Sequence, residues 1–250
     1  MAVVRRVLIV LLGLVVAAAV VAAIVVFAAP RHARAPSTSG ESLPDFVPAA
    51  PLERAATPTG PGISGLADAG WLDRVGESTG IPRRALAAYA GQAIVTGEQT
   101  TCALGWNTLA AIGEVESHHG SINGSAIGDD GTATPPIYGI GLHGTGTDSV
   151  PDSDAGAIDG TAEVDRAVGP MQLIPQSWRN WHTDASGDGV EDPQNIDDAV
   201  AAAAHYLCRA AGQAMGEAAG WRAGILAYNG SQRYLDDVIR WSQRYARLAG

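Results

Sequence analysis

Apolar residues follow two different patterns along this chain. From Val7 to Ala29 they form an unbroken run of Val, Leu, Ile, Ala and Gly with Phe27, introduced by Arg5 and Arg6 and closed by Pro30 and Arg31. A helix needs about 20 apolar residues to cross a bilayer, whereas the apolar stretch of a cleaved signal peptide is roughly 7 to 15. Residues 1–30 therefore read as an uncleaved membrane anchor, against the alternative of a long signal peptide cut near Ala33-Arg34-Ala35. Further on, apolar positions recur at helical spacing and predict helices over 66–77, 82–95, 103–117, 175–181, 198–211, 217–228 and 231–248, with Pro82 suited to a first turn. Between 120 and 164, Gly, Asp, Ser, Thr and Pro dominate, which predicts loops with short strands. Residues 31–63 are rich in Pro, Ala, Ser and Thr and poor in large apolar side chains, so they read as a disordered linker. The expected organisation is an anchor, a linker and one mainly α domain over 64–250 with a loop-rich insert.

One acid breaks the apolar pattern. Glu116 falls one turn beyond Ile112, two beyond Leu109 and three beyond Trp106, whereas Glu114 stacks over Ala110, Ala111 and Asn107. A carboxyl against apolar walls loses hydration, and its pKa rises until it can hold and donate a proton near neutral pH. That is the profile of a glycosidase acid.

Composition narrows the setting. The net charge is −10, Lys is absent and no basic cluster lies beyond the membrane flanks, which argues against nucleic-acid binding. Arg31 and Arg34 on the far side of the apolar run blunt the charge rule for orientation, leaving the cysteines as the second indicator. Cys102 and Cys208 are the only two; a pair beyond a membrane segment fits a disulfide in an oxidising envelope, with two unpaired buried thiols as the alternative.

Three more segments accompany Glu116: Ala-Val-Gly-Pro-Met-Gln-Leu-Ile-Pro-Gln-Ser-Trp from Ala167, Asp-Ala-Ser-Gly-Asp-Gly-Val-Glu-Asp-Pro from Asp184, and Ala-Tyr-Asn-Gly from Ala227. With Glu-Ser-x-x-Gly at Glu116, their order resembles the lysozyme-like lytic transglycosylases of bacterial cell walls, over roughly Cys102 to Tyr245. The Gly-Asp-Gly and Asp-Pro insertion is similar to the membrane-bound transglycosylase B branch. The resemblance implies a goose-type, lysozyme-like fold and cleavage of the β-1,4 bond between N-acetylmuramic acid and N-acetylglucosamine, ending in a 1,6-anhydro ring. It implies Glu116 as acid and then base, with no cofactor required for the chemistry. By the same resemblance Gln172 lines the sugar groove, Tyr228 approaches the acid's side of the cleft, and Asn229 binds an acetamido group. From the residues alone, Gln172 equally reads as a loop-fixing amide and Asn229-Gly230 as a helix stop. Tyr234 matches a further family tyrosine but also begins an apolar stripe with Val238, Trp241 and Tyr245. Ser117 reads either as a partner of the acid or substrate or as a serine bonding its own backbone.

Asp184, Ser186 and Asp188 alternate before Gly189, with the Val190 carbonyl next, as in the first half of a calcium loop; Asn195 stands where a bidentate Glu is expected. The resembled branch carries a longer calcium-binding loop, so the readings are a structural calcium site or a turn shaped by Asp, Gly and Ser. Asp152, Asp154, Asp159 and Glu163 read as an acidic solvated loop, with a second cation or the glycan as alternatives. Glu163 falls where the family has a small hydroxyl residue, which predicts a second carboxylate near the cleft. His118 and His119 lack the spacing of a zinc site and take groove or loop roles. The leading expectation is a membrane-tethered, extracytoplasmic lytic transglycosylase acting on peptidoglycan glycan strands. A hydrolytic muramidase and a non-catalytic peptidoglycan-binding scaffold are its competitors.

Overall fold

The computed structural model describes residues 44, 46–144 and 149–250. The chain divides into two units, Met1–Ser42 and Leu43–Gly250. The expected anchor and the first part of the expected linker lie outside the described residues. Among the described residues no helix is long and apolar enough to cross a membrane.

Seven α-helices build the second unit: α1 Ala69–Thr79, α2 Arg83–Gln99, α3 Trp106–Ser117, α4 Pro175–Trp181, α5 Ile196–Ala210, α6 Ala218–Tyr228 and α7 Gln232–Ala249. Their limits follow local chemistry. Asp68 caps α1 by accepting from the Trp71 N–H at 2.9 Å, and Gly80 ends it at φ 78°. Asn195 caps α5 and Ser231 caps α7 in the same way. α3 is the central helix, with every residue from Trp106 to Gly113 buried. It packs most closely on α7, where Asn107 donates to Ser242 at 2.9 Å. On its α2 side Gly113 lets the Tyr89 hydroxyl approach to where a Cβ would stand. A buried bidentate pair, Arg84 with Asp197 at 2.8 and 2.7 Å, links α2 to α5. The Cys102–Cys208 disulfide, with Cα atoms 5.6 Å apart, ties the approach to α3 to the end of α5, so the reading as two free thiols falls.

The folded body begins before the expected boundary at 64. Val47 and Ala55 are buried, and Phe46 meets Trp221 edge to face at 6.2 Å. Pro48 and Pro51 offer carbonyls to Asn107 Nδ2 and Trp106 Nε1, at 3.0 and 3.1 Å. An extended, Pro-rich stretch has spare carbonyl acceptors, and two buried polar side chains of α3 need them.

The insert holds two short antiparallel ribbons. β1 Ala126–Ile127 pairs with β2 Ala133–Thr134, and β3 Tyr138–Gly141 with β4 Arg166–Val168 in the register Tyr138 to Val168 and Gly141 to Arg166. Its acids do not form one solvated face, although Glu163 is exposed. Asp159 and Asp165 are fully buried. Asp159 accepts the Thr161 and Arg166 N–H groups, and Asp165 takes the N–H and hydroxyl of Ser153. Asp152 and Asp154 likewise accept backbone N–H groups, so these carboxylates supply acceptors that an irregular loop otherwise lacks.

Candidate active site

The last turn of α3 carries Glu116 to the wall of a cleft of about 920 Å³. Oε1 accepts a hydrogen bond from the Tyr234 hydroxyl at 2.6 Å, and Oε2 has no hydrogen-bond partner among the described residues. Burial pushes the Glu116 pKa up to about 7, against the opposing pull of the Tyr234 hydrogen bond. The phenol itself is held well above its usual range, by burial and then by the neighbouring Glu116 charge, so it stays a neutral donor. Because Tyr234 occupies Oε1, the acid proton belongs on Oε2.

Glu114, two residues earlier, has the opposite environment. His119 Nε2 lies 3.2 Å from its Oε2, and His118 Nδ1 lies 3.3 Å from its Oε1. The hydrogen bond from His119 leads the lowering of its pKa, over the opposing effect of burial. The expected contrast between a wet and an apolar helix face is thus replaced. α3 is enclosed on all sides, and the two acids differ in their partners instead.

Tyr234 therefore does more than continue the α7 core stripe. Its ring lies nearly parallel to that of Tyr228, at an interplanar angle of 10° and 6.4 Å between centroids. Tyr228, the last residue of α6, lines the cleft with its ring, but its hydroxyl donates to the Met171 carbonyl at 2.6 Å rather than to the acid. Asn229 lines the cleft next to it; it ends α6 in extended backbone at φ −146°, and its side chain accepts from the Ser231 N–H. Gln172 faces the same space from a left-handed backbone at φ 50°. Its amide donates to the Gly169 carbonyl at 3.0 Å, which is the loop-fixing reading, while the residue also lines the cleft.

Ser117 takes the second of its two readings, a helix-end serine bonded to backbone. It is fully buried; its hydroxyl donates to the Pro170 carbonyl at 2.6 Å and accepts from the Gly120 N–H at 2.8 Å. It fastens the end of α3 to the turn carrying Gln172 and has no surface for substrate. Glu163 is exposed and stands outside the cleft lining, so Glu116 is the one carboxyl among the described lining residues. Sequence reasoning missed the aliphatic wall of Leu142, Val150, Ala167, Ile174 and Ala227. Ala167, Ile174 and Ala227 lie within the motif segments, which was the available signal.

In the loop read as a calcium site the acids engage their own loop. Asp184 accepts from the N–H groups of Gly187 and Gly189, at 2.7 and 2.9 Å, and from the Ser186 hydroxyl at 3.1 Å. Asp188 accepts from the Val190 N–H. Asn195, at the twelfth position, accepts from the Asp197 N–H and donates to the Asp130 carbonyl. Among the described residues, the acidic group whose ligand atoms converge within 4.8 Å is Asp152, Asp154 and Asp165, away from this loop. The loop is a turn closed by its own side chains.

Residues 155–243 match the transglycosylase SLT domain family. The matched stretch contains Gln172, Tyr228, Asn229 and Tyr234 and begins after Glu116, so it covers less than half of the chain. No curated protein and no solved structure matches the chain. The mainly helical architecture agrees with such a domain, and the match supports, at family level, an enzyme that cleaves the glycan of peptidoglycan.

Proposed function

We propose that this domain is a peptidoglycan lytic transglycosylase in which Glu116 is the single acid and base. The carrying observation is one buried carboxyl on the cleft wall, with a pKa raised to about 7 and one oxygen committed to Tyr234. Protonated on Oε2, it gives its proton to the glycosidic oxygen as the bond from C1 to that oxygen breaks. The carboxylate left behind takes the proton of the C6 hydroxyl while O6 closes on C1 of the same muramic residue. The proton balance is then restored and the product carries a 1,6-anhydro end. A pKa near ambient pH suits a group that must give and then recover one proton. Double-displacement glycosidases place a second carboxylate about 5–5.5 Å from the first, and the described cleft lining offers none. Gln172 and Asn229 supply amides for sugar hydroxyl or acetamido groups.

The domain works outside the cytoplasm, tethered by residues 1–30 in the manner of the membrane-bound B branch; the disulfide supports an oxidising compartment. The test is mass spectrometry of peptidoglycan digested by the purified chain. Anhydro-ended fragments, lost in Glu116→Gln, are expected. Fragments with reducing ends alone identify a hydrolase and refute the intramolecular step, and undiminished release by Glu116→Gln refutes the acid assignment.

A further inference from the structure

Directly behind Glu116 the backbone does something unusual. His118, His119 and Gly120 adopt φ values of 50°, 57° and 83°, three successive left-handed residues of which two carry side chains. Such conformations persist only where the surroundings impose them. At the centre of this turn is the His119 ring, which is almost wholly buried. Tyr89 of α2 places its hydroxyl 3.1 Å from Nδ1, and Tyr245 of α7 places its hydroxyl 3.0 Å from Nε2. Glu114 of α3 stands 3.2 Å from the same Nε2. Ionised Glu114 can only accept, so its contact selects the tautomer with the proton on Nε2, which donates there while Nδ1 accepts from the Tyr89 hydroxyl.

Three helices therefore meet on one ring. Tyr245 stands three turns beyond Tyr234 on the same side of α7, and α7 meets the acid helix at both levels: Tyr234 on Glu116, Tyr245 on His119. We infer that His119 is a positioning residue for the acid, holding the end of α3 in register with α7 so that Glu116 keeps its hydrogen bond to Tyr234 and its place on the cleft wall. The role rests on the proposed function of Glu116, touches no substrate, and differs from the groove or loop role read from sequence.

The test uses His119→Phe, which keeps a buried ring and removes both hydrogen bonds, His119→Gln, which retains a donor and an acceptor, and Tyr245→Phe, which deletes one partner. Soluble glycan strands are the substrate, and kcat, KM, the pH profile and Tm are measured. Misplacing a catalytic group by about 1 Å costs up to roughly 100-fold in rate. For His119→Phe kcat is expected to fall roughly 10- to 100-fold with KM little changed and the basic limb of the pH profile displaced. His119→Gln recovers part of the loss and Tyr245→Phe shows a smaller one. If His119→Phe does not fold, Tyr245→Phe carries the same comparison. Full kcat and an unmoved basic limb, with only Tm lowered, overturn the positioning role. Activity surviving in Glu116→Gln overturns the acid assignment along with it, whereas an inactive Glu116→Gln beside fully active His119 and Tyr245 variants overturns the positioning role alone.

Discussion

Tyr234→Phe separates the two influences that set the acid. The phenol donates to Oε1 at 2.6 Å and so favours the ionised form, while burial favours the protonated one; together they leave the pKa at about 7. A hydrogen bond to a charged group is worth about 1.5–3 kcal/mol, and 1.36 kcal/mol corresponds to one pKa unit. Removing the phenol leaves burial unopposed and raises the pKa by about one to two units, nearer one because water reaches Glu116 from the cleft. An acid that must be protonated to act then keeps its proton to higher pH, so the basic limb of kcat/KM moves upward. The plateau falls, because the carboxylate formed in the transition state loses its donor; about 1.5–3 kcal/mol is roughly 10- to 150-fold. Release of soluble fragments from peptidoglycan across pH 5–10 measures both effects (the range is roughly that over which Glu116 titrates). The Phe ring preserves the packing against Tyr228, so the fold is retained. A basic limb that stays put or moves to lower pH refutes the reasoning, whatever happens to the plateau.

Three further outcomes are expected. The Glu116 pKa is raised from 4.5 to about 7 on folding, so the native state binds the proton more tightly. The stability this gives is full below the unfolded value and is lost as pH rises through about 7; hence Glu116→Gln raises Tm at pH 8 and leaves it nearly unchanged at pH 4, by at most about 3 kcal/mol with cleft exposure reducing it. Thermal unfolding by circular dichroism at both pH values decides it. Replacing Cys102 and Cys208 by Ala opens a loop of 106 residues, and loop-closure entropy puts the loss near 4–5 kcal/mol, read from urea denaturation; an unchanged midpoint contradicts it. In Gly113→Ala the new Cβ meets the Tyr89 hydroxyl at 2.0 Å, so despite the better helix propensity of Ala the protein loses about 1–3 kcal/mol, seen as a lower Tm.

Most helices were legible because amphipathic spacing survives without knowledge of neighbours. α1 to α7 all lie within a few residues of the expected ranges. Glu116 was legible for the same reason, but Glu114 was not. Its partners are two histidines beyond the helix end and a tyrosine from α7, and no helical projection shows that α3 is enclosed. For Ser117 adjacency to the acid left two readings open, and the structure selects backbone bonding, because consecutive helical residues point in different directions and its hydroxyl turns to Pro170. The early start of the domain left no trace because backbone carbonyls, which every residue has, make the contacts at Pro48 and Pro51. The acidic loop was taken for a solvated face because carboxylates usually are; here their acceptors close a segment with little regular secondary structure.

A mechanism with one acid places an unusual demand on a helix that carries two. If Glu114 and Glu116 had similar surroundings, either could hold the proton and neither would be poised. The fold separates them by their surroundings. Tyr234 gives Glu116 one neutral donor in a buried place, which leaves its pKa high. At the level of Tyr245, Glu114 instead meets two histidines, and its pKa falls. Burial at Glu116 and the two histidines at Glu114 thus assign opposite protonation to two carboxyls two residues apart. That makes the His119 turn, where α2, α3 and α7 converge, the place where a small displacement reaches the reacting proton without any change in the cleft lining.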